Sequence, residues 1–279
     1  MHHPGTVQRP RRASHGHAAA TLAGLAALLF CALYVFAVGT QLGRALDAAA
    51  VRDVEGSLDD VLDRLVAAVN PLTVTLVVVV MIWLAIRSGR PTDGFRAGAL
   101  VAASALLAGE LEAVLGRVDL LGAEGEREFG AAFYPSGHAT VVMSLALAIL
   151  LVAPRRSRFA LALAGAIWSS VLGFAICAGG SHHPSDVLGG FLLALAAASI
   201  AAVGRPALNN PTPRDRHLPP TVIAAVLGAL AAVSLLLEVA RRLSISMGSL
   251  HPPVLLAGVL LSAAAFVIVW AFASLLEPG

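Results

Sequence analysis

Two short polar strings hold the residues of this chain that could do chemistry. They read YPSGH at residues 134–138 and HHPSD at residues 182–186. Each stands where a long apolar run begins, so each is expected at the first turn of a helix. That turn offers backbone N–H groups without intrahelical partners and the positive end of the helix dipole, which together attract phosphate.

The first string supplies a candidate proton carrier and candidate phosphate contacts. Gly137 would let an anion approach the backbone closely. Ser136 could cap the helix or donate to a phosphate oxygen. His138 would lie within reach of the same oxygens and could transfer a proton near neutral pH.

The second string supplies a candidate nucleophile. His182 and Asp186 are four residues apart, about one helical turn. Asp186 could accept a hydrogen bond from one ring nitrogen of His182 and leave the other nitrogen free to attack. A nucleophile held by an orienting carboxylate is a common arrangement in covalent catalysis.

Composition places this chemistry in a membrane. Of 279 residues, 58% are hydrophobic and 13% charged, and the mean hydropathy is +0.82. Apolar runs near about 20 residues are typical of membrane-spanning helices, and helices are the only plausible spanning elements here. The sequence predicts about eight spans, at residues 18–42, 65–86, 97–115, 136–153, 159–178, 185–203, 221–239 and 253–276.

Arginines alternate with acidic residues between these spans. The arginine-rich segments are residues 9–12, 87–96, 155–158 and 205–216. Acidic residues fill residues 47–63 and 119–128 instead. Basic loops stay in the cytoplasm, so both termini are predicted to be cytoplasmic and both histidine strings to face the outside.

The remaining features are less informative. Cys31 and Cys177 fall within predicted spans and are expected to be buried apolar residues, with no disulfide framework or zinc pattern. Residues 1–17 are predicted to be a disordered tail. Residues 51–65 show helical spacing of apolar side chains, which is compatible with an amphipathic surface helix or with a plain connector. Neither a nucleotide-binding glycine loop nor a nucleic-acid-binding stripe is visible.

The two strings resemble the second and third signature motifs of the type 2 phosphatidic-acid phosphatase family, which includes the vanadium haloperoxidases. The family motifs read K-x6-R-P, P-S-G-H and S-R-x5-H-x3-D. The resemblance spans roughly residues 20–203 and rests on P-S-G-H, a hairpin of two spans, and H-x-P-S-D-x-x-x-G. It implies an all-α, polytopic membrane bundle with a six-span core (residues 18–203) and two additional spans within residues 204–279.

The resemblance also implies roles for individual residues. His182 would attack phosphorus and form a phosphohistidine, and Asp186 would orient it. His138 would protonate the leaving oxygen and then activate water. The substrate would be a lipid-linked phosphate or diphosphate in the membrane, with no cofactor or metal required and no nucleic acid as partner; the sequence gives no oligomeric state.

The chain departs from the family pattern at the positions of the motif lysine and arginines. The best register of the first motif puts Glu110 in the lysine position, Arg117 in the arginine position and Val118 in the proline position. Ile176 stands where the third motif has arginine. Phosphoryl transfer depends on neutralising the oxygens of phosphate, so other groups must do this here or the site must serve another purpose.

Three interpretations remain open. In the first, outer-loop arginines such as Arg127, Arg241 or Arg242 replace the lost cations, with Arg117 and Arg127 as phosphate-binding residues. In the second, the pocket holds a divalent cation, bound by residues drawn from Glu110, Glu112, His138, His182, His183 and Asp186. In the third, the protein is a catalytically weak or non-catalytic relative that binds a lipid or a partner and acts in an envelope lipid pathway.

Overall fold

The computed structural model describes residues 9–51, 64–115, 133–179, 181–203 and 252–277. The longer helices in these ranges are α1 (Arg9–Ala37), α2 (Gln41–Val51), α3 (Pro71–Arg87), α4 (Pro91–Leu115), α5 (Gly137–Val152), α6 (Arg155–Ala178), α7 (Pro184–Ala202) and α8 (Pro252–Leu275).

Helices alone make up the described part of the chain, where no strand occurs. Five of them, α1, α4, α6, α7 and α8, are long and apolar enough to cross a membrane. The apolar helices α3 and α5 are shorter, with 17 and 16 residues. The protein is therefore an all-α integral membrane bundle, as the sequence predicts. The predicted span at 221–239 and most of the predicted amphipathic helix at 51–65 lie outside the described residues.

The predicted first and second spans have different boundaries in the structure, because polar caps interrupt the apolar runs. α1 ends at Ala37 rather than at residue 42, and α2 begins after Thr40, whose Oγ1 accepts a hydrogen bond from the N–H of Gly43 at 2.9 Å. α3 begins at Pro71, because the side chain of Asn70 caps it by accepting from the N–H groups of Leu72 and Thr73.

α7 is the central helix of the bundle. Of its membrane-spanning window, 72% is buried inside the protein, against 22% for α1 and for α4. It packs against α1, α5, α8 and α4. Apolar side chains of the peripheral helices point outward, as expected for surfaces in contact with lipid.

Two arginines join helix ends on the side of the bundle away from the histidine strings. Arg90, just before α4, donates to the backbone oxygens of Val152 (2.8 Å) and Ala153 (3.3 Å) at the end of α5. Arg158 of α6 donates to the backbone oxygen of Leu276, just after α8, at 3.0 Å. Cations at helix C-termini complement the helix dipole. These contacts define an arginine end of the bundle, at the opposite ends of α4 and α5 from the two histidine strings.

Candidate active site

The second histidine string leads into the first turn of α7, with His183 as the N-cap residue and Pro184 as the first helical residue. Asp186 is 2% exposed, and its Oδ2 accepts a hydrogen bond from the backbone N–H of His183 at 2.9 Å. The same oxygen lies 3.4 Å from Nδ1 of His182 and 3.7 Å from Nδ1 of His183. The buried carboxylate thus sits among donors at the positive end of the helix, where a negative charge is favoured.

His182 precedes α7, and part of its side chain is accessible to solvent. Its side chain is 12% exposed, and its ring meets that of Phe133 edge to face at 6.3 Å between centroids. With Nδ1 turned towards Asp186, the other ring nitrogen, Nε2, is the one available for attack.

A backbone hydrogen bond joins the two strings. The N–H of Ser136 donates to the backbone oxygen of Asp186 at 2.9 Å. Ser136 caps α5 by accepting from the N–H of Ala139 at 3.4 Å, and it is fully buried. Of the two roles predicted for Ser136, the structure shows the cap, and the phosphate contact stays a prediction.

Tyr134 and the glycines of α7 set the distance between the strings. The ring of Tyr134 is fully buried between Phe30 and Tyr34 of α1, and its hydroxyl donates to the backbone oxygen of Phe30 at 2.8 Å. A Cβ at Gly189 would lie 2.4 Å from that ring, and one at Gly190 would lie 2.8 Å from the backbone oxygen of Ser136. Only glycine at these positions lets the start of α5 approach α7 so closely.

His138 stands at the start of α5 and is exposed. Electrostatic interactions couple it to His182 and to Glu112 of α4. The structure therefore brings His138, His182 and Asp186 to one end of the bundle. Gly137 leaves space for an approaching group, since the nearest atom to a Cβ built there is Oε2 of Glu112, at 3.8 Å.

Glu112, rather than Glu110, is the carboxylate of α4 that faces the histidines. Glu110, which the second sequence interpretation includes among the candidate metal ligands, is exposed on another side of the helix. Ile176 is 2% exposed and belongs to the main apolar core, so the position of the third-motif arginine contributes to packing here. The predicted phosphate-binding residues Arg117 and Arg127, with Arg241 and Arg242, lie outside the described residues.

Sequence reasoning missed the contribution of α2 to this site. Asp47 accepts hydrogen bonds from both the N–H and the hydroxyl of Ser185. Arg44, one turn earlier, is 5% exposed and donates from Nε to the backbone oxygen of Val38 at 2.8 Å, and its charge acts on His183. The acidic segment 47–63 signalled only an outer loop, since nothing in the sequence indicates which helix end it meets.

The titration of two groups reflects this environment. Burial raises the pKa of Asp47 to about 6, and the neighbouring charge of Asp186 adds to the effect, against the hydrogen bonds from Ser185. Contact with the carboxylate of Asp186 raises the pKa of His183. Both shifts follow from gathering two carboxylates and a histidine at one helix start.

The second sequence interpretation places a divalent cation among these side chains. Within the ranges that the structure describes, no group of three or more His, Cys, Asp or Glu side chains is placed to hold a metal ion. Glu110 is exposed, and Oδ2 of Asp186 lies 3.4 Å from Nδ1 of His182 and 3.7 Å from Nδ1 of His183.

Comparison with protein families decides the relationship. The family model described as the PAP2 superfamily matches residues 64–209. The chain belongs to the PAP2 superfamily. Membership supports phosphatase-type activity on phosphate esters. Searches of curated proteins and of solved structures give no match.

The matched residues of this PAP2 protein contain both histidine strings and run from α3 to the end of α7. α1 and α2 precede the match. Asp47 and Arg44 therefore reach the site from a part of the chain that the family model does not cover.

Proposed function

We propose that this PAP2 protein hydrolyses a lipid-linked phosphate or diphosphate through a phosphohistidine on His182. The observation that carries the proposal is the buried Nδ1 of His182, which has no hydrogen-bond partner and lies 3.4 Å from Oδ2 of Asp186, at the end of the bundle where His138 interacts electrostatically with His182. This supplies a nucleophile, its orienting carboxylate and a second imidazole for proton transfer.

The reaction proceeds in two displacements. Nε2 of His182 attacks phosphorus, the bond from phosphorus to the lipid oxygen breaks, and His138 gives its proton to that oxygen. His138 then takes a proton from water, whose oxygen attacks the phosphohistidine and releases phosphate and free His182. Asp186 stabilises the imidazolium character that His182 acquires in each step.

The first turn of α5 is the proposed phosphate-binding site. The N–H groups of Gly137 and His138 occupy helix positions that lack intrahelical partners, and they carry the positive end of the dipole. Open space beside Gly137 admits an anion. Arg117 and Arg127 remain the proposed cationic contacts, from the segment between α4 and α5.

A lipid substrate at the outer face is the proposed setting. The polar strings open at the ends of membrane helices, so a phosphate held there would leave its acyl or prenyl chain within the bilayer. The arginine end is cytoplasmic by the positive-inside rule, which puts the site outside. Residues 18–203 would then form the catalytic core and residues 204–279 an addition to it.

Phosphate release by detergent-purified protein tests the activity. Phosphatidic acid and a polyprenyl diphosphate are the two probes, and His182→Gln and His183→Gln form a matched pair of neighbouring histidine variants. We expect His182→Gln to be inactive and His183→Gln to keep most of its activity. A 32P-labelled substrate should leave an acid-labile, base-stable label on the wild type and none on His182→Gln.

Two results would contradict the proposal. Full activity in His182→Gln would remove the phosphohistidine mechanism. No release from either lipid by the wild type, with orthovanadate still raising its melting temperature, would indicate a non-catalytic family member that binds phosphate groups.

The orientation has a separate test in intact cells. Ser181→Cys places a thiol at the histidine end and Ser88→Cys places one at the arginine end, both at exposed serines, in a background with Cys31 and Cys177 replaced by serine. A membrane-impermeant maleimide should label the first variant only. The reverse pattern would put the site in the cytoplasm.

A further inference from the structure

The carboxylate of Asp47 in α2 accepts two hydrogen bonds from the first turn of α7. Oδ1 of Asp47 accepts from the N–H of Ser185 at 3.2 Å, and Oδ2 accepts a short hydrogen bond from the hydroxyl of the same serine. Ser185 stands between His183 and Asp186 and is 4% exposed. Asp47 thus restrains both the main chain and the side chain of a residue inside the histidine string.

The position of this contact sets the geometry of the site. The N–H of Ser185 belongs to the first helical turn, where intrahelical partners are lacking, so Asp47 satisfies it from another helix. The side chain of the next residue, Asp186, lies 3.4 Å from Nδ1 of His182, and its backbone oxygen accepts a hydrogen bond from the N–H of Ser136. A shift of Ser185 would therefore move the pair that contains the proposed nucleophile.

The hydrogen bonds to Ser185 persist in an environment that is costly for a carboxylate. Asp47 is largely buried and lies close enough to Asp186 for the two negative charges to interact. The N–H and hydroxyl of Ser185 offset part of this cost, so the carboxylate and Ser185 hold each other in place. The other titratable groups near this part of α2 are Arg44, Tyr34, His183 and Cys177 of α6, and the described part of α8 that packs there carries none.

We propose that Asp47 is a positioning residue of the active site, which aligns Asp186 and His182 by holding Ser185 from α2. This inference rests on the proposed hydrolysis and adds a residue outside the family-matched segment 64–209. It assigns α2 a task in catalysis, although α2 carries neither the proposed nucleophile nor the proposed proton carrier.

Steady-state kinetics of three variants test the role. Asp47→Ala removes both acceptors, and misalignment of this kind can cost about 10- to 100-fold in kcat while KM stays within roughly twofold. Asp47→Asn keeps the shape and can still pair with the N–H and hydroxyl of Ser185, so we expect it to restore kcat to within roughly threefold of the wild type. Asp93→Ala is the matched control, a partly buried aspartate bonded to Arg90 at the arginine end, and should leave kcat unchanged.

Hydrogen exchange gives a readout that does not need activity. Asp47→Ala should speed amide exchange in the peptide that covers residues 181–190, whereas Asp47→Asn and Asp93→Ala should not. Unchanged amide exchange in Asp47→Ala would show that Asp47 does not hold the first turn of α7. Faster exchange with unchanged kcat, or a higher KM with unchanged kcat, would overturn the positioning role.

The outcomes also separate this inference from the proposed function. If wild-type protein releases no phosphate from either lipid, the proposed hydrolysis fails and with it the catalytic role of Asp47, while the exchange result still decides whether Asp47 holds α7. If the wild type is active and His182→Gln is not, the hydrolysis stands, and the Asp47 variants alone decide the positioning role.

Discussion

Nδ1 of His182 lies 3.4 Å from Oδ2 of Asp186, four residues further along the chain. The two atoms are close, but they do not meet the geometry of a hydrogen bond, and Nδ1 of His182 is buried without a hydrogen-bond partner. Catalytic hydrogen bonds are often long before substrate binds and shorten in the reacting complex. The same oxygen already accepts from the N–H of His183 at 2.9 Å, so the carboxylate is fixed and the imidazole is the partner that adjusts.

Asp186→Asn should lower kcat by roughly 10³–10⁴-fold, because an amide at this position no longer stabilises the imidazolium or selects the reactive tautomer of His182. Its amide oxygen can still accept from the N–H of His183, so the fold should survive. Phosphate release under saturating lipid phosphate measures the loss, and thermal unfolding checks the fold. A folded variant with kcat within a few-fold of the wild type would show that Asp186 serves only the start of α7.

Glu112→Gln should lower KM for a phosphate ester. The carboxylate faces Gly137 and His138 and repels a phosphate there, and removing one like charge at about 4 Å is worth about 1 kcal/mol, or roughly fivefold in affinity. Glu110→Gln is the matched control, since Glu110 is exposed away from the site, and it should leave KM unchanged. A fall in kcat without a change in KM would mean instead that Glu112 supports proton transfer by His138.

Gly189→Ala should destabilise the protein by about 1–3 kcal/mol, the usual range for overpacking. Its Cβ would lie 2.4 Å from the buried ring of Tyr134, which Phe30 and Tyr34 enclose. Gly24→Ala in α1 meets nothing within 4 Å and should be neutral or slightly stabilising. The apparent melting temperatures in detergent compare the two. Equal melting temperatures would count against the close approach of the loop before α5 to α7.

Asp47→Asn should change stability in a pH-dependent way. The pKa of Asp47 is raised from 3.8 to about 6, so the folded state binds the proton more tightly than the unfolded state. The wild type therefore gains stability as the pH falls from about 6 to about 4, and above pH 6 it bears the full cost of the buried charge. The asparagine variant carries no charge at residue 47, so it does not bear the cost of burying one.

The stability advantage of Asp47→Asn should consequently be greatest at pH 7–8 and vanish near pH 4. Its upper limit is about 3 kcal/mol, reduced by whatever solvent screening the partly buried group retains. Melting temperatures of the wild type and the variant between pH 4 and pH 8 give the difference. A difference that stays constant over this range would contradict the raised pKa.

The sequence alone predicts the class of this protein and the main elements of its candidate site. Apolar runs at residues 97–115, 159–178 and 185–203 indicate helices because helix formation and membrane partition depend on local composition. The four-residue spacing of His182 and Asp186 predicts that they lie close together, and the structure places them 3.4 Å apart across the start of α7, with His182 just before the helix. The arginine and acidic segments likewise predict that both strings open at one end of the bundle.

Tertiary structure decides what local patterns leave open. The motif register singles out Glu110 rather than Glu112, and only the rotation of α4 against α5 turns Glu112 towards His138 and leaves Glu110 exposed. The sequence allows Ser136 to cap α5 or to bind phosphate. In the structure it is buried where α5 meets α7, and it caps α5.

The contribution of α2 depends on tertiary structure most strongly. Asp47 and Ser185 are 138 residues apart in the chain, and no periodicity or motif links them. Their pairing follows from the packing of α7 at the centre of the bundle, which sets the direction of its first turn and so determines which loops and helix ends can reach it. Local sequence therefore fixes which residues begin each helix, and the long-range packing of the helices fixes which of those residues meet.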